Sequence, residues 1–252
     1  MTSNGMQCGI RSAECGIRQK DLRVYLALIA FLVFPMGYAW STEETPPATS
    51  RLAATGSALS TPTSTALLAD AVEAVEAHYR DLVDLTAKVV QKNFLKSVEK
   101  TQKFEGTLSI KKPGKLRLEY TNGQVIVIDG REAWFYSKKS SQAIRRTFKD
   151  FEQANIPVAF LLGAGAIRED FEVSLPEADH PLMLDLVPRR KGAAMKKLRL
   201  LSDATGRITQ MIVFDRSGNR SDIRFSEVKE GLGLDDQQFR FNVPKGTEVI
   251  EQ

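Results

Sequence analysis

From Phe104 onward the chain alternates between short runs of period two and turn dipeptides, a pattern that leaves room for little except consecutive hairpins. Phe104, Gly106, Leu108 and Ile110 alternate with polar neighbours, Pro113-Gly114 turns the chain, and Leu116, Leu118 and Tyr120 resume the alternation. Asn122-Gly123 and Asp129-Gly130 are two-residue hairpin signals, since such turns need the positive φ that Asn, Asp and Gly tolerate. They lead into strands at 125–128 and 133–136. Further strands are expected at 142–147, 171–175, 183–187, 197–201, 208–214, 222–228 and 238–242. About 11 strands with few helices predict a mainly β (α+β) domain, a sandwich or a barrel built from hairpins.

Two segments depart from that period. Leu68, Ala71, Val72, Val75, Tyr79 and Leu82 recur at three- and four-residue spacing, which predicts an N-terminal helix with Thr65 as its N-cap. Beyond Leu82 the alternation of Leu85, Ala87, Val89 and Gln91 favours a strand, with helix continuation to Val90 as the alternative. The second segment, 157–163, is apolar without alternation, starts at Pro157 and ends at Gly163, and so predicts a short hydrophobic helix carrying Phe160 and Leu161. Such a helix either plugs one end of a barrel or covers a cavity as a lid.

The N-terminal region carries an export pattern. Arg18, Lys20 and Arg23 precede an apolar run at 24–34, and Gly37 and Ala39 supply small residues at a cleavage site. That run has 11 residues, against the roughly 20 that a bilayer span needs. A signal peptide at 1–39 is therefore expected, with removal after Ala39. Cys8 and Cys15 lie upstream of it, so neither would reach the mature chain. Residues 40–65 are rich in Ser, Thr, Ala and Pro, too poor in apolar groups to offset their ordering entropy, and read as a leader ahead of one domain at 66–252. Loss of four Lys/Arg and two Asp/Glu with the signal lowers the net charge from +4 to +2, which gives no argument for nucleic acid.

Chemistry is sparse in the remaining chain. After Ala39 there is no Cys, the two histidines are His78 and His180, and no nucleophile elbow, phosphate loop or dinucleotide fingerprint occurs. Asp129, Asp203 and Asp215 stand where turns favour Asp. The expectation is a binding protein with no cofactor, no metal and no catalytic residue. An incompletely closed barrel, or one of more than about 8 strands, has room for an apolar ligand. Residues expected to line such an interior are Leu108, Ile110, Leu116, Leu118, Val125 and Val127 on the first hairpins, with Trp134, Tyr136, Phe160, Leu161, Ile212 and Phe214 further on. For the run at 125–128 alternation does not decide which face points inward.

The order of these motifs resembles the outer-membrane lipoprotein carrier proteins, LolA. The resemblance runs from the helix at Ala66 to the C-terminus. It rests on LTAKVVQ at 85–91, GTLSIKKP at 106–113, LRLEY at 116–120, Asp129-Gly130 followed by Trp134-Phe135-Tyr136, the apolar 157–163, LDLVP at 184–188 and FRFNVPKGTEVI at 239–250. It implies an incompletely closed antiparallel β-barrel covered by an N-terminal helix and a short lid helix. The implied role is a periplasmic, monomeric carrier of lipoprotein acyl chains, loaded by an inner-membrane ABC-type releasing complex and discharged to an outer-membrane lipoprotein acceptor. A carrier or sensor of another amphiphile is the alternative. The acceptor is itself lipidated and needs a Cys after its signal, which this chain lacks. Where the family often has an aromatic residue this chain has Val89, and where it has an important Arg before the turn proline this chain has Lys112. Lys112 and Pro157 are thus expected to control the lid and cargo handoff.

Overall fold

The computed structural model describes residues 64–149, 167–176, 182–190, 193 and 195–251. Helix α1 (Ser64–Asp81) is followed by β1 (Asp84–Leu95), a 3-10 turn (Lys96–Val98), β2 (Lys100–Lys111), β3 (Lys115–Tyr120), β4 (Gln124–Asp129), β5 (Glu132–Ser137) and β6 (Gln142–Thr147). Then come the single turn α2 (Ile167–Asp170), β7 (Phe171–Ser174), β8 (Met183–Pro188), β9 (Met195–Ser202), β10 (Ile208–Asp215) and β11 (Arg220–Glu230). A 3-10 turn (Asp236–Phe239) and β12 (Glu248–Glu251) complete the chain. The 12 strands form one sheet in the order β12-β6-β5-β4-β3-β2-β1-β11-β10-β9-β8-β7. Its ends, β12 and β7, do not pair with each other, so the barrel is not closed.

Registers show why these residues make this sheet. Ala87, Leu108, Leu118, Ile126, Phe135 and Ile144 lie directly opposite one another across β1 to β6. On the other half Ile223, Met211, Leu200 and Leu184 form the matching row across β11 to β8. Because side chains alternate along a strand, each row occupies one face, and both rows belong to the buried core against which α1 lies. Val72, Val75 and Tyr79 of α1 are buried there. The turn between β9 and β10 presses on the helix: a Cβ at Gly206, which has φ +84°, would stand 2.1 Å from the Ala74 carbonyl oxygen. Thr65 is not the N-cap but lies within the first turn of α1.

The outer face is apolar as well on one half, and a C-terminal strap explains it. After β11 the chain doubles back. The Asp84 carboxylate, 1% exposed, accepts the amides of Leu232 (2.6 Å) and Leu234 (2.8 Å), and its carbonyl accepts that of Gly231 (3.1 Å). Burial would raise the Asp84 carboxyl, but the Leu234, Leu232 and Gly233 amides and the Lys111 charge bring it below the usual range. Lys111 and Lys115 each stand 2.6 Å from Asp236, and Arg117 donates to the carbonyls of Gln238 and Arg240. Phe239 is then fully buried, Phe241 stacks on Trp134 (5.3 Å) and Tyr136 (5.6 Å), and β12 joins β6 in parallel.

This strap corrects several expectations. Val125, Val127, Trp134 and Tyr136 face outward, opposite the row of Ile126 and Phe135, and Val127 is fully buried on that side. Covering both faces with apolar material removes the polar half of the alternation that would have identified the inside. Ile212 and Phe214 also face outward, because Met211 and Val213 of the unbroken run 211–214 take the core positions. The strand expected at 238–242 is instead the end of the 3-10 turn and extended strap, whereas β12 was not anticipated. The apolar segment with Pro157, Phe160 and Leu161 lies outside the described residues.

Candidate functional site

Where α1 passes the junction of β1, β2 and β11, its last turns leave an apolar cleft. Tyr79, Leu85, Ala87, Leu108, Ile110, Ile208, Phe225 and Val228 line it, around about 270 Å³ of space that includes an opening to solvent. The enclosed cavity itself is only about 10 Å³, far below the roughly 300–1,000 Å³ usual for a small-molecule pocket. The seated helix therefore fills most of the concavity, and a long ligand needs α1 to move. Of the expected lining residues, Leu108 and Ile110 stand in the cleft, and Leu116 and Leu118 continue the same face beside it. Six lining residues were not nominated from sequence: Tyr79, Leu85, Ala87, Ile208, Phe225 and Val228. The signal was present in part, since the helical spacing of Tyr79 and the alternation of Leu85 and Ala87 already put them on apolar faces.

The cleft offers no reactive group. Its one polar side chain, Tyr79, accepts the amide of Ile208 at 3.2 Å. Burial pushes the Tyr79 hydroxyl up to about 12, overriding the Ile208 bond that favours ionisation, with Glu230 adding to the rise. It stays neutral and tethered at any physiological pH. Among the described residues no three His, Cys, Asp or Glu side chains gather as a metal site, and no helix is long and apolar enough to cross a membrane.

Polar contacts at the rim hold α1 in place. Lys112 reaches back from the end of β2, where its Nζ donates to the Tyr79 carbonyl in the last turn of α1 and its amide to the Val83 carbonyl (2.8 Å). A cation there meets the negative end of the helix dipole. Burial draws the Lys112 amine below its ordinary range, with nearby Asp81 opposing that shift. His78 and Glu230 stand 3.1 Å apart on the same rim, and the Ile167 amide donates to Glu76 at 3.0 Å from α2. Deeper along β1 lies a buried polar group. Tyr120 donates to Gln91, and the Gln91 amide donates to Asn93 (2.9 Å) and Ser221 (3.1 Å).

Residues 81–242 match the family described as outer membrane lipoprotein carrier protein LolA. A protein of Pseudomonas aeruginosa (strain PAO1) named outer-membrane lipoprotein carrier protein is 31% identical over 173 residues, 67% of this chain and 81% of its own length. One of the same name from Azotobacter vinelandii is 32% identical over 171 residues, 67% of this chain and 82% of its own. Among solved structures, a LolA superfamily protein from Nitrosomonas europaea aligns over 69% of this chain and 97% of its own, at 15% identity and a TM-score of 0.39.

Proposed function

The chain belongs to the family of outer-membrane lipoprotein carrier proteins, LolA, and from that premise we propose that it is a periplasmic, non-enzymatic carrier that shelters the acyl chains of lipoproteins. The observation that carries this reading is the cleft under α1, lined by apolar side chains apart from the tethered, neutral hydroxyl of Tyr79. In the proposed cycle a signal peptide at 1–39 is removed, the leader at 40–65 precedes the carrier domain, an inner-membrane ABC-type complex loads the chain, and an outer-membrane acceptor unloads it.

Energetics require the seated helix. Each sheltered methylene contributes about 0.8 kcal/mol, so a preformed cavity around even one long acyl chain would hold it too tightly to give it up. Opening α1 exposes Val72, Val75 and Tyr79, which are buried when it is seated. That cost offsets part of the gain from the cargo and so eases delivery. Lys112 adds a polar contact that exists only when the helix is down. It stands where the family has Arg, and its single ammonium can engage one carbonyl where a guanidinium spans several. Pro157 and its neighbours are proposed to extend the cover.

The test is native mass spectrometry of the chain as recovered from cells, then after delipidation and incubation with triacylated lipoprotein. A bound lipoprotein supports the proposal. A bound phospholipid with no uptake of lipoprotein would replace it with a carrier of another amphiphile.

A further inference from the structure

Among the described residues, the strap leaves half of the outer sheet face uncovered. Its 3-10 turn lies against β3 and β4, and its strand joins β6, so it stays on the opposite half from β8 to β11. Two rows of facing residues cross that uncovered half. One runs Phe94, Arg220, Phe214, Lys197 from β1 to β9. The next runs Lys92, Asp222, Ile212, Arg199, Asp185 from β1 to β8. In the first row rings alternate with cations, and the Lys197 ammonium sits 5.0 Å from the Phe214 ring centre; in the second Ile212 lies between Asp222 and Arg199.

The charge of this face is one-sided. The carboxylates in and beside these rows are already engaged, Glu105 by Lys103 (2.6 Å), Asp222 by Arg224 (3.6 Å), and Asp185 by both Lys197 (2.8 Å) and Arg199 (2.6 Å), with Glu172 standing apart on the edge strand β7. Lys88, Lys92 and Arg220, all exposed, have no carboxylate within 4.0 Å among the described residues. With Lys88, Lys92 and Arg220 unpaired in this way, positive charge outweighs negative charge along these two rows among the described residues.

We propose that this face docks the protein on an anionic phospholipid surface. A second copy would bring like charge against like. A headgroup layer suits it, because Phe94, Phe214 and Ile212 meet the apolar boundary while Lys and Arg stems reach the phosphates. Docking by the back of the sheet keeps the α1 side free, so the carrier can rest on a membrane and open its cleft at once.

The experiment is sedimentation of the chain, as recovered from cells, with vesicles of phosphatidylcholine alone or with about a third phosphatidylglycerol. Binding to the anionic vesicles is expected to weaken with salt, as screened charges do. Each neutralised cation weakens it about fivefold, the equivalent of about 1 kcal/mol. The triple variant K88Q/K92Q/R220Q is therefore expected to lose about a hundredfold. A control triple with the same net charge, K138Q/K149Q/K245Q, alters lysines outside this face and is expected to bind like wild type. Both triples alter residues outside the core, and thermal melting checks that each folds. Equal binding to neutral and anionic vesicles, or equal loss in the two triples, overturns the proposal. Retention on polyglutamate without vesicle binding overturns it in favour of an acidic protein partner.

Discussion

Replacing Asp84 by Asn tests whether one carboxylate fastens the C-terminal strap. In the native protein its two oxygens accept one amide each, from Leu232 and Leu234. Asn keeps the shape but turns one acceptor into a donor, so one bond is lost and an amide faces another N–H. A hydrogen bond to a charged group contributes about 1.5–3 kcal/mol, and leaving a buried donor unpaired costs about 1–3. The carboxylate lies only one strap's thickness from solvent, so the lower ends apply and the expected loss is about 2–3 kcal/mol. For a domain of this size about 1 kcal/mol lowers Tm by about 2–4 °C, which predicts a fall of about 5–10 °C. Release of Phe241 from Trp134 should also shift the tryptophan emission to the red; Trp40, the other tryptophan, is common to both proteins. The acid dependence follows from the signs. The Asp84 carboxyl is depressed and that of Asp236 falls to about 2, the latter through the Lys111 and Lys115 contacts. Their contribution is present above the ordinary carboxylate value of about 3.9 and is lost as pH falls toward the folded values. Wild type should release the strap below about pH 4, and D84N should show a smaller change there. A D84N protein melting within about 1 °C of wild type, with unchanged emission, would refute the reasoning.

Three other outcomes are expected. Lys112→Leu should still load acyl chains but transfer them poorly to an acceptor, while Lys112→Arg should transfer at least as well as wild type; equal transfer by all three removes Lys112 from the handoff. Ala87→Leu fills the cleft floor at an overpacking cost of about 1–3 kcal/mol, so uptake of a fluorescent fatty acid should fall well before the fold does, and unimpaired uptake would put the ligand elsewhere. Gly206→Ala must adopt a positive φ, at about 1–2 kcal/mol, and push against the Ala74 carbonyl; a melting temperature equal to wild type would show that the turn does not bear on α1.

Hairpins were legible because their turns name themselves. Asn122-Gly123 and Asp129-Gly130 sit where Gly123 and Gly130 take φ of 84° and 92°, and Asp203 accepts from Thr205 and Arg207 as turn chemistry predicts. The facing of each strand was legible only where one side stays polar. Leu116 and Leu118 alternate with Arg117 and Glu119 and lie in the core. Val125, Val127, Trp134 and Tyr136 face the other way, because residues more than a hundred positions later cover them, and no local window contains that fact. The same distance hid the cleft, which needs Tyr79 of α1, Ile208 of β10 and Phe225 of β11 together.

The place of β1 in the sheet has a consequence for how the molecule is made. Its two neighbours are β2, a few residues away, and β11, which arrives only after most of the domain has been synthesised. A growing chain can build the β1 to β6 hairpins as each turn emerges, yet until the last segment appears one edge of β1 stays unpaired and Val127, Trp134 and Tyr136 face water. Assembly therefore closes late, with β11 joining the two halves of the sheet and the strap and β12 then covering its back. A chain shortened by its last twenty residues would keep β11 but lose the strap and β12; it would stay at the penultimate stage of its own assembly, with its front in place and a sticky back.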